Sequence, residues 1–276
     1  MTQITAADVN NLRKITGAGM MDCKKALQET GGNTEMAIDL LRKKGQKVAS
    51  NRADREASEG VVISKTNSDK KSGVLISLNC ETDFVAKNED FISFTNKIAD
   101  IAINNEAKNL QDLLKTDMDG HTIEQNITNK IGVIGEKIEL AYYEKIDAAY
   151  VISYIHPGNK LATLVGFDQE EIEEQQAKDV AMQVAAMNPI SIDKDDIPKS
   201  VIEKEIEIGK EQAREEGKPE EILEKIAVGK LNKFFKENTL MNQQFIKESK
   251  QTVKQYLEEH NKNIKVVGFK RYTLNI

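Results

Sequence analysis

No apolar run in these 276 residues approaches the roughly 20 needed to cross a bilayer, so no membrane attachment is expected. The opening MTQITAADVNNLRK has no cationic stretch followed by an apolar one, and no secretory signal is expected there. Cysteine is scarce. Cys23 and Cys80 stand far apart in different motifs, which predicts a reduced, cytoplasmic setting. His121, His156 and His260 are scattered, and neither cysteine has a second at ligand spacing, so neither a metal site nor a cofactor is expected. A phosphate-cradling loop is missing as well: there is no GxxxxGK[ST], and Gly132-Val-Ile-Gly-Glu-Lys137 lacks the glycines and terminal hydroxyl of one. Acidic runs such as Glu170–Glu174 and Glu203–Glu207 suit solvated helix faces rather than an acid/base pair. Nothing here is arranged to make or break bonds, so the chain is not expected to be an enzyme. Cations are not in excess either. A net charge of −6 argues against direct nucleic-acid binding by the chain as a whole.

What is present is a charge-rich globular sequence, 39% hydrophobic and 30% charged, long enough for about two domains. The first 55 residues predict three short helices. Thr5 and Asp8 form a variant capping box ahead of the stripe Val9, Leu12, Ile15. Thr16-Gly17-Ala18-Gly19 breaks that helix, Gly31-Gly32 ends the second, and Asn33 caps a third that should stop at Gly45. Residues 46–60 read as a polar linker, partly helical. Two hairpin-plus-helix units follow: Gly60–Lys65 with Gly73–Leu78 before a helix at 88–102, and Tyr150–Ile155 with Leu161–Phe167 before a helix near 177–187. A helix and then a strand are expected between 126 and 141, and a closing strand at 264–272. Between about 193 and 235, stripes of Val201, Ile202, Ile206, Ala213 and of Ile222, Ile226, Ala227, Leu231 flank the turn Gly217-Lys218-Pro219. They predict a protruding antiparallel helical hairpin, with an edge that a second subunit can use. The fold class is α+β.

One place resists a purely structural reading. In the second unit the last strand leads into DQEEIEEQQ, an ordinary acidic helix start. In the first, the same place carries Glu81-Thr82-Asp83-Phe84-Val85-Ala86-Lys87. Phe84 either tucks under the following helix, as an apolar residue ahead of an N-cap does, or is presented to a partner. Periodicity leaves both open. Cys80 with His156 can be drawn as a thiol–imidazole pair, but Cys80 ends a buried-looking strand and His156 sits in the turn His-Pro-Gly-Asn. The N-terminal bundle leaves a ubiquitin-type or general peptide-binding reading, and the basic excess of the first 55 residues leaves an RNA-associated translation protein.

Thr16-Gly-Ala-Gly-Met-Met-Asp-Cys-Lys-Lys-Ala26 together with Cys80-Glu-Thr-Asp-Phe-Val-Ala-Lys87 resembles the bacterial elongation factor Ts family, guanine-nucleotide exchange factors for elongation factor Tu. The likeness runs from Thr5 to the final strand and includes the hairpin with its Gly-Lys-Pro turn and the Lys254–Asn261 segment. It implies an N-terminal module similar to ubiquitin-associated domains at 1–55 and a core N-subdomain at 56–140. A core C-subdomain at 141–192 and 237–276 would be interrupted by a coiled-coil dimerisation hairpin at 193–236. It also implies a partner, elongation factor Tu in its GDP-bound and nucleotide-free forms. Thr82, Asp83, Phe84 and Val85 would enter its GTPase domain and dislodge Mg²⁺, and the factor would stay bound until GTP arrives. Leu12, Arg13, Met20, Met21, Arg52 and His156 match further partner-facing positions. Two departures stand out. Some members carry an extra C-terminal helix beyond the strand near which this chain stops at Ile276, and Glu81 places an acid where a neutral polar residue is common.

Overall fold

Thr5 opens the first helix by a reciprocal cap. Its hydroxyl accepts from the Asp8 amide at 3.2 Å, and the Asp8 carboxylate accepts from the Thr5 amide at 2.9 Å. Two donors without intrahelical partners are thereby satisfied. The computed structural model describes residues 4–260 and 262–274; residues 1–3, Asn261 and residues 275–276, together with the side chain of His260, lie outside the described residues. The chain is mixed α+β and divides into two units, one of residues 1–63, 76–144 and 273–276, the other of residues 64–75 and 145–272.

The first unit begins with α1 (Ala6–Thr16), α2 (Met20–Glu29) and α3 (Thr34–Asn51). Gly17 ends α1 in the left-handed region at φ 71°, and the Asn33 side chain caps α3. Val9, Leu12, Cys23, Ala26, Leu27 and Ala37 make a small shared core. Strands β1 (Glu59–Thr66) and β2 (Ser72–Cys80) follow. After them come α4 (Asp83–Ala86), α5 (Glu89–Ile103), α6 (Leu110–Leu114), the two-stranded β3 (Asp117–Met118) and β4 (His121–Thr122), and α7 (Ile123–Ile134). Strand β5 (Ile138–Asp147) completes a sheet of order β1-β2-β5.

One boundary departs from expectation. Helix α3 does not stop at Gly45 but continues to Asn51, so the first six residues of the expected linker are helix. Gly45 marks a crossing instead. A methyl group built on Gly132 of α7 would lie 2.5 Å from the Gly45 Cα, closer than real contacts allow. Glycine is therefore required for backbone-to-backbone approach, not for chain reversal.

In the second unit β6 (Tyr150–Ile155) and β7 (Leu161–Phe167) pair antiparallel, with Ile152 opposite Val165. Helix α8 (Glu174–Met187) follows, then α9 (Lys199–Glu215) and α10 (Glu220–Asn238), the short strands β8 (Gln244–Phe245) and β9 (Glu248–Thr252), α11 (Val253–His260), and β10 (Val266–Thr273) in the sheet order β10-β7-β6. Phe167, Val180, Val184, Leu240 and Leu257 are central to its core. The helical hairpin closes over Gly209, Ala213, Leu223, Ala227 and Leu231. Ile222, expected in that stripe, is exposed, because the buried row runs through 223, 227 and 231.

Candidate functional site

Strand β2 is buried along its whole length and ends at Cys80, whose thiol donates to the Thr82 carbonyl at 3.2 Å. Burial, and then the charge of Glu136, pushes that thiol up to about 12. It is protonated and inert at neutral pH. His156 has a separate partner, the Tyr154 hydroxyl, 3.0 Å from its Nδ1. The thiol–imidazole pairing has no support.

Beyond Cys80 the chain turns outward. Thr82 is extended at φ −125°, ψ 152°, and the single turn α4 follows. Ala86 is buried and Val85 half-buried, which seats the turn, while Phe84 is 83% exposed. It does not tuck under α5, whose own cap is the Asn88 side chain accepting from the Asp90 amide. Asp83 accepts from Lys87 one helical turn on, at 2.6 Å, and this partner holds the Lys87 ammonium above its ordinary value.

Four side chains hold the root of this turn. The Thr82 amide and hydroxyl both donate to the Glu136 carboxylate, at 3.1 and 2.7 Å. Glu81 accepts from Arg52 Nη1 at 2.7 and 2.9 Å, and from the Lys137 amide at 2.6 Å. The Lys137 amide first, and Arg52 after it, holds the Glu81 carboxyl below the usual glutamate range. Arg52 closes the C-terminal end of α3, and Glu136 follows Gly135, the left-handed cap of α7 at φ 81°. The two helices that cross at Gly45 and Gly132 thus both end on the turn that carries Phe84.

Beside Phe84 opens a groove of about 810 Å³, lined within the first unit by Ile15, Leu41, Val85, Phe94 and Val133. Its charged lining is largely self-paired: Lys44 with Asp22, Lys97 with Asp119, and Arg42 with His121. Such a surface combines an apolar floor with polar edges largely fixed by one another, which suits a protein partner better than a phosphate. Among the described residues, no group of three or more His, Cys, Asp or Glu is placed to hold a metal ion. No described helix is long and apolar enough to cross a membrane.

The residues expected to serve a partner have different fates. Thr82, Asp83, Phe84 and Val85 share one turn, from which Phe84 projects while the other three are half-buried. Arg13 is exposed, and Met20 and Met21 are both on the surface, at 57% and 64%. Leu12 is wholly buried in the core of the first three helices. Arg52 is committed to Glu81. His156 is exposed in the β6–β7 turn of the second unit. Sequence reasoning missed Glu136 and Lys137, and the only local signal for them is Gly135, a helix-ending glycine after the stripe Ile127, Ile131.

The family described as Elongation factor TS matches residues 81–275. A protein of Christiangramia forsetii named Elongation factor Ts is 53% identical over 275 residues, covering 99% of this chain and all of its own length. Proteins of the same name from Flavobacterium psychrophilum and Porphyromonas gingivalis are 52% and 51% identical, over 99% of this chain and at least 98% of their own. The chain belongs to the elongation factor Ts family.

Proposed function

From that membership and the geometry of the projecting turn, we propose that this protein is the guanine-nucleotide exchange factor of elongation factor Tu. It binds Tu–GDP, enters the GTPase domain with Thr82–Val85, and lowers the hold on GDP by displacing Mg²⁺ from the nucleotide site. Mg²⁺ demands near-ideal octahedral geometry, so a small displacement of its surroundings costs much of its binding. Burying Phe84 in the partner contributes about 1.5–3 kcal/mol toward holding the distorted site. Coupling is reciprocal: bound factor weakens nucleotide as much as nucleotide weakens factor, so abundant GTP refills the site and expels it. No covalent bond changes in the factor. Its place of action is the cytoplasm.

In this reading residues 1–55 dock on the GTPase domain through Arg13, Met20 and Met21. Residues 56–140, 141–192 and 237–276 form the core, His156 adds a contact, and the hairpin at 193–236 associates two copies. Leu12 supports the docking module from within. The observation that carries the reading is a phenylalanine left 83% exposed on a turn whose root is fully tied. Release of a fluorescent GDP from purified Tu tests it. Wild-type protein should accelerate release, and Phe84→Ala should lose about tenfold to a hundredfold of that acceleration, the equivalent of 1.5–3 kcal/mol. Equal release with both proteins refutes it.

A further inference from the structure

We propose that Glu136 is a positioning residue, and that its carboxylate, with the Glu81–Arg52 pair, keeps the Phe84 turn preformed in the free protein. The proposal rests on the exchange-factor reading for its consequence but not for its first test. A four-residue helix cannot sustain itself, since nucleating one turn fixes several residues for one hydrogen bond. The cap position adds nothing locally, because the Thr82 side chain makes no bond to the amides of α4. That hydroxyl is directed away from its own helix, to Glu136, together with the Thr82 amide.

Both bonds are charge-assisted, the stronger kind of hydrogen bond. The neighbouring Glu81 is fixed from two further sides, by Arg52 and by the Lys137 amide. Glu136 and Lys137 are successive residues just past the cap of α7, so one chain segment supplies a partner to each of Glu81 and Thr82. The acid at 81 therefore does not merely add negative charge beside the projection. It converts Arg52 from a free surface cation into part of the mount. A projection ordered before encounter binds with a smaller ordering cost than one that must fold on its partner.

The measurements are amide hydrogen exchange in the free protein, on wild type, Glu136→Ala, Glu136→Gln and Thr82→Val, and GDP release from Tu, on all but the last. The Ala86 and Lys87 amides, which donate to the Thr82 and Asp83 carbonyls at 3.2 and 3.0 Å, report the order of the turn. In Glu136→Ala their exchange should quicken about tenfold while the α8 amides stay unchanged, with Gln intermediate because one acceptor remains. The factor concentration for half-maximal release should rise about tenfold, with the saturating rate kept within about twofold. Thr82→Val, which removes one hydroxyl, should quicken exchange of the same two amides should Glu136→Ala fail to fold; only its exchange is read, because Thr82 is itself a proposed partner contact. Unchanged Ala86 and Lys87 exchange in both variants overturns the proposal, as does a fall in saturating rate at constant half-maximal concentration. Should wild-type protein leave GDP release unaltered, the exchange-factor reading fails, and the amide result alone decides whether Glu136 is the brace.

Discussion

The two hairpin-plus-helix units solve the same corner in opposite ways. In the second, β7 ends on Phe167, which is fully buried against Val180 and Val184. The following Asp168 exchanges bonds with Lys265, its amide donating at 3.1 Å and its carboxylate accepting at 2.8 Å. In the first, β2 ends on a small buried thiol and the aromatic comes four residues later, facing solvent. Both corners are tied by carboxylates, so tethering is common to the two and the direction of the aromatic is not. An outward aromatic is thus not a requirement of this corner, and its placement in the first copy calls for a partner rather than a packing explanation.

Alanine substitution separates the two phenylalanines most sharply. Phe167→Ala should cost about 3–5 kcal/mol of stability, the usual range for emptying a core aromatic site, read from urea unfolding midpoints. Phe84→Ala should change stability by no more than about 0.5 kcal/mol while slowing GDP release from Tu as stated above. Similar stability losses in both would erase the contrast. Next in size is the mount. Gly132→Ala puts a methyl group against the Gly45 backbone and should destabilise by about 1–3 kcal/mol, the range for overpacking. It should also raise amide exchange at Ala86 and Lys87, whereas the corner after Phe167 should exchange as in wild type.

The smallest effect is on acidification. Glu81 has a depressed folded-state pKa, so its contribution is complete above the ordinary glutamate value, about 4.3, and is lost as pH falls through the folded-state value. The stability difference between wild type and Glu81→Gln should therefore be constant from pH 8 to 5 and shrink below about pH 4. A difference that grows with acidification would show that Glu81 is not held as an anion by Arg52 and Lys137.

Much of this was legible without coordinates. The capping box at Thr5, the Asn33 cap, both hairpins, the helices after them and the helical hairpin all follow from near-neighbour patterns. The turn at 82–85 was legible as an oddity, because the internal repeat provided a control for it. The choice between tucked and presented was not, since an apolar residue before a helix fits either outcome. Leu12, which the family resemblance made a partner-facing position, is buried in the core of the first three helices. Gly45 misled for a related reason: a glycine that ends a helix and one that permits a helix crossing look alike in one dimension.

The sequence by itself determined most element boundaries, which faces are apolar, and that one corner carries an aromatic after its strand where its sister has only an acidic helix start. These are decided by residues within a turn or two of each other, through caps, spacing and backbone freedom. Only the tertiary structure decided that Phe84 faces solvent and that Arg52 and Glu136, 29 and 54 residues from their partners, meet beneath it. Those contacts depend on two helices approaching closely enough at a pair of glycines to deliver their ends to one place. Such a meeting is a property of packed volume, which no local pattern encodes.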